Sequence, residues 1–115
     1  MRFLTFFKSE ETGPPSAEEQ EAMGKLIAEM TAAGVLLSAE GCLPSSKGFR
    51  VRRTGKRVTV VDGPFTESKE VIGGFALLEV KSRDEALQWT RRFLDVVGDG
   101  ESEVRQLYEQ PAHQS

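Results

Sequence analysis

Apolar and polar positions alternate or recur along this chain at two spacings, one suited to strands and one to helices. Arg2 to Lys8 (Arg-Phe-Leu-Thr-Phe-Phe-Lys) is dense in β-forming residues and predicts a first strand. Gly13-Pro14-Pro15 stops it. Ser16, with Glu19 three residues on, has the spacing of a capping box, in which the hydroxyl takes a free amide of the first helical turn and the carboxylate reaches back. Met23, Leu26, Ile27, Met30 and Ala33 then make one apolar stripe at helical period, and Gly34 stands where a helix ends in the left-handed conformation. Val35 to Leu43 predicts a second strand. Gly48 to Val61 predicts a hairpin, with Phe49 and Val51 alternating with Arg50 and Arg52, a turn at Thr54-Gly55, and Val58, Val60 and Val61 on the return. Ile72 to Val80 predicts a strong strand with a glycine pair near its start. Ser82 and Glu85 repeat the capping spacing ahead of a stripe of Ala86, Trp89, Thr90, Phe93, Leu94 and Val97. Gly98 to Gly100 ends that helix, and Val104 to Tyr108 predicts a last strand.

The order is β-α-β, hairpin, β-α-β. Two such halves interleave as a split βαβ, so the expected fold is α+β and ferredoxin-like: one antiparallel sheet with both helices on one face, plus an extra β-hairpin. A single domain over residues 1–110 is expected, with 111–115 as a flexible tail. A lone sheet with helices on one side should be polar on the other. Here Phe3, Thr5 and Phe7 alternate with Leu4 and Phe6, and Phe75 and Leu77 with Ala76 and Leu78, so both parities are apolar. The second face needs a cover, and a second copy of the chain, packed sheet to sheet about a two-fold axis, supplies it.

Composition narrows the class of partner. The chain has 115 residues, 15 cationic and 18 acidic, for a net charge of −3. That balance argues against nucleic acid or an anionic membrane as a bulk partner. One cysteine, Cys42, excludes an intrachain disulfide and suits a reducing, cytoplasmic compartment. No apolar run approaches the ~20 residues needed to cross a bilayer.

The string Asp62-Gly63-Pro64-Phe65-Thr66-Glu67-Ser68-Lys69-Glu70-Val71-Ile72-Gly73-Gly74-Phe75 closely resembles the signature of DGPF-domain proteins, a branch of the YCII-related family. Ala33 to Leu37, Glu40 to Pro44, Lys81 to Trp89 and Glu103 to Arg105 extend the likeness over essentially residues 1 to 109. The resemblance implies a ferredoxin-like subunit and a dimeric α/β barrel. Its wider superfamily includes lactone isomerases, a dehydrochlorinase and heme- or quinone-handling monooxygenases. DGPF proteins are often encoded beside, or fused to, extracytoplasmic-function sigma factors, which makes such a factor a candidate partner. Other YCII-like proteins carry a His–Asp pair proposed as catalytic. The only histidine of this chain is His113, in the tail, so no imidazole base is offered.

Candidate chemistry therefore rests on carboxylates. Asp62, Gly63 and Pro64 have the make-up of a tight turn whatever else they do. Glu67, Lys69 and Glu70 add two acids and an ammonium nearby. A carboxylate shielded from water by a ligand is harder to ionise and can move protons near neutrality. Glu40 sits within an apolar strand, where it needs a partner such as Arg50, Arg52 or Lys69, or else projects into a cavity as acid or base. The candidate catalytic residues are thus Asp62, Glu67 and Glu40, and the candidate ligand-binding residues Arg50, Asp62, Gly63, Pro64, Phe65 and Lys69. No metal site and no cofactor are expected. Arg50, Arg52, Arg53, Lys56 and Arg57 read as the wet side of the hairpin, and Cys42 as a small buried residue. Gly73-Gly74 lacks phosphate-loop spacing and reads as a bulge or a close backbone approach. Three functions stay open: a small-organic-ligand protein with acid–base chemistry in a cleft of a homodimer, a non-enzymatic partner of a sigma factor, and an interaction scaffold without ligand.

Overall fold

The computed structural model describes residues 1–10, 13–65 and 71–109. Strand β1 (Arg2–Ser9) leads to helix α1 (Ala17–Ala32), strand β2 (Leu36–Gly41) and a 3-10 turn at Ser45–Lys47. The hairpin β3 (Phe49–Thr54) and β4 (Arg57–Asp62) follows, then β5 (Val71–Glu79), α2 (Arg83–Val97) and β6 (Glu101–Gln106). β2, β5, β1 and β6 lie in that order in one antiparallel sheet, which is the ferredoxin-like arrangement; β3 and β4 form a separate two-stranded sheet.

The local signals act as the sequence predicts. Ser16 Oγ accepts from the Glu19 amide and Ser82 Oγ from the Glu85 amide, both at 3.1 Å. The Glu85 carboxylate reaches back to the Lys81 amide, at 3.2 Å, one residue before the serine. Gly34, at φ +73°, closes α1: its amide donates to Thr31 O and that of Val35 to Met30 O, satisfying two end carbonyls.

One face of the large sheet carries the core. Phe3, Leu26, Met30, Val35, Leu78 and Ala86 are buried between sheet and helices, and Phe7 meets Phe93 of α2 edge-on at 5.5 Å. Thr90 is buried there because its hydroxyl donates to Ala86 O at 2.7 Å. Gly73 is the extra residue of a bulge, where the β1–β5 register slips between Phe7 and Lys8. Beside it, a Cβ on Gly74 would lie 2.8 Å from the Glu40 carbonyl, so β2 and β5 approach closely only because Gly74 has none.

Two strand limits and one residue's burial differ most from expectation. β2 is shorter, Leu36–Gly41: the Val35 amide is used in the α1 cap, and beyond Gly41 the Cys42 amide makes one last bond to Gly73 O of β5. Cys42 beyond it is exposed, not buried. β6 begins at Glu101 rather than Val104, because an edge strand tolerates polar residues that a central one does not.

Candidate functional site

Strand alternation sends Leu4, Phe6 and Lys8 of β1 to the face of the large sheet opposite the helices. Register then assembles two rows across all four strands. Ser38, Leu77, Leu4 and Arg105 stand side by side, and so do Glu40, Phe75, Phe6 and Glu103. Each row has an apolar pair at its centre and polar residues at its edges. Phe75 is 40% exposed and Leu4, Phe6 and Leu77 are only partly buried, so the apolar centre is open in the single chain. At the β6 edge an open hollow of about 300 Å³ is lined by Leu4, Phe6, Arg105, Gln106, Leu107 and Tyr108.

The charges of this face are ordered at the same edge. The Lys8 ammonium donates to Glu103 Oε1 at 3.1 Å, and Arg105 Nη1 donates to Oε2 at 3.2 Å. These two cations, Lys8 first, hold the Glu103 carboxyl below its ordinary value of 4.5. Glu103 is therefore a fixed anion near neutrality. Glu40, at the other end of the row, is exposed instead of buried, and it has no ion-pair partner among the described residues.

The turn at the base of the hairpin is a second, separate locus. The Gly63 amide donates to Gly48 O at 2.9 Å and the Phe65 amide to Ser45 Oγ at 3.1 Å. The Arg50 guanidinium lies 3.9 Å above the centre of the Phe65 ring. A Cβ on Gly63 would collide with the Ser45 carbonyl. Asp62 ends β4 opposite Phe49, with its side chain in solvent. Asp62, Gly63, Pro64, Phe65 and Arg50 are thus brought together, whereas Glu40 belongs to the other sheet. Glu67 and Lys69 lie outside the described residues. Sequence reasoning passed over Lys8, Glu103 and Arg105. The signal available was the alternation of Glu101, Glu103 and Arg105 on one parity of a short strand.

The family model described as the YCII-related domain matches residues 1–110. An uncharacterized protein of Rhizobium meliloti is 33% identical over 94 residues, which is 78% of this chain and 76% of that protein. The chain also resembles the structure of 5-chloro-2-hydroxyhydroquinone dehydrochlorinase from Burkholderia phenoliruptrix, solved in complex with 2,5-dihydroxybenzoquinone. That likeness has a TM-score of 0.53 at 16% identity and covers 96% of each chain, and it establishes a shared fold.

Proposed function

The chain belongs to the YCII-related family, and from that premise we propose that it works as a homodimer binding a small organic ligand between the open sheet faces of two protomers. The row Glu40, Phe75, Phe6, Glu103 carries this reading. Two aromatic rings at its centre suit a planar, largely apolar ligand, and Lys8 and Arg105 at one end suit its oxygen substituents. Burying the central strip against a second copy removes apolar surface from water at ~25 cal/mol per Å². The dehydrochlorinase of similar fold was solved with a small quinone, which supports a ligand of that class.

Within such a chamber the two end carboxylates divide the work. Glu103 is held ionised by Lys8 and Arg105 and fixes charge. Glu40 carries no such pairing and is the group that takes a proton from a ligand hydroxyl or carbon acid and returns it. The turn formed by Asp62, Gly63, Pro64 and Phe65, with Arg50 stacked on it, closes the rim. A thermal-shift screen of hydroxylated aromatic acids, quinones and lactones tests this. A ligand at 100 times its Kd adds ~2.7 kcal/mol. Glu40→Gln should keep the shift and lose any turnover, while Phe6→Ala should lose the shift. If no compound in the panel moves the transition, the ligand reading fails. The exposed cationic hairpin favours a second reading, an acidic protein partner such as a sigma factor; co-purification dependent on Arg52 and Arg57 would support it.

A further inference from the structure

The hairpin is largely exposed, with Arg50 on one face half-buried against Phe65. On one face Phe49, Val51, Val58 and Val60 are 60% to 64% exposed, and Arg53 and Asp62 share that side. Arg50, Arg52 and Arg57 line the other. The sequence predicts one wet side, yet the valine side is wet as well, since no described part of the chain lies against it. An isolated two-stranded ribbon is marginally stable at best in water, and an apolar row on it is unlike a finished surface. The molecule is correspondingly spread out. Its radius of gyration is 16.3 Å, against ~13 Å for a compact chain of this length.

Net charge favours an acidic partner for the ribbon as a whole, with Arg53 the one arginine on its valine face. Phe49–Asp62 holds five cations and one acid, a net +4; the remainder of the chain holds ten cations and seventeen acids, a net −7. The hairpin is thus complementary to the body of its own kind of chain. The same body exposes an apolar strip on its open sheet face, with Glu40 at one edge and Glu101 and Glu103, the latter bonded to Lys8 and Arg105, at the other.

We infer that the hairpin is an arm that crosses to a second copy of this chain, laying Phe49, Val51, Val58 and Val60 against that copy's open sheet face. The inference rests on the homodimer proposed above and extends it: each ligand chamber is built by two chains, its floor from one and part of its wall from the other's arm. The arm carries the Asp62-to-Phe65 turn at its root, so dimerisation also sets where that turn sits relative to the Glu40–Glu103 row.

The test uses the whole protein. Sedimentation from 1 to 100 µM is run on the parent, on Val51→Glu with Val60→Glu, and on Leu77→Glu, with far-UV circular dichroism to verify folding. The arm variant should stay folded, since both valines are already in solvent, and should weaken dimerisation at least tenfold. In the parent, hydrogen exchange at the β3–β4 amides should quicken on dilution in step with the loss of dimer. If the arm variant dimerises like the parent, or hairpin exchange is independent of concentration, while Leu77→Glu is monomeric, the arm is refuted and the sheet-to-sheet dimer stands. A parent that is monomeric at 100 µM refutes both.

Discussion

Gly63→Ala isolates the structural work of the turn at the hairpin root. A methyl there would collide with the Ser45 carbonyl and lie 3.2 Å from Gly48 O, and both obstacles are backbone, so neither can swing aside. Relief requires the turn to withdraw from the Ser45–Lys47 segment. That movement breaks the Gly63 amide bond to Gly48 O and the Phe65 amide bond to Ser45 Oγ, and it lifts Phe65 from Arg50. Two hydrogen bonds at ~0.5–1.5 kcal/mol each and an exposed cation–π contact at ~0.5–1 give a local cost of about 2–3 kcal/mol. At ~1.4 kcal/mol per tenfold, the opening equilibrium of the turn should rise roughly 30- to 150-fold. Native-state hydrogen exchange at the Phe65 amide reads this directly. Gly41→Ala is the control, because a Cβ there meets nothing within 4 Å. Phe65 exchanging in Gly63→Ala at the parent rate would refute the steric account and leave the glycine to be explained by function.

Gly24 lies inside α1 with open space around the Cβ position, so Gly24→Ala should raise stability by ~0.5–1 kcal/mol in urea unfolding, opposite in sign to Gly63→Ala. Glu103 titrates lower in the folded chain than its ordinary 4.5, so the stability it adds is complete above that value and is lost as pH falls through the depressed one. Glu103→Gln should therefore lose stability relative to the parent near neutrality and converge with it in acid, as read from urea midpoints at several pH values.

Much of this molecule is legible in the chain itself, and the reason is local. Capping serines act on amides three residues away, Gly34 supplies a backbone conformation that other residues resist, and the helical stripes mark the core face. The two apolar parities of β1 and β5 also stand in the sequence, and with them the expectation of a covered second face. Tertiary structure alone decided which side chains share that face. The row from Glu40 to Glu103 joins residues 63 positions apart through the pairing of β2, β5, β1 and β6, and no periodicity encodes register between distant strands. The same holds for the hairpin. Its alternation of arginine and valine is plain in the sequence, but only the fold shows that the valine side finds no cover among the described residues, because burial depends on what long-range packing brings against a strand.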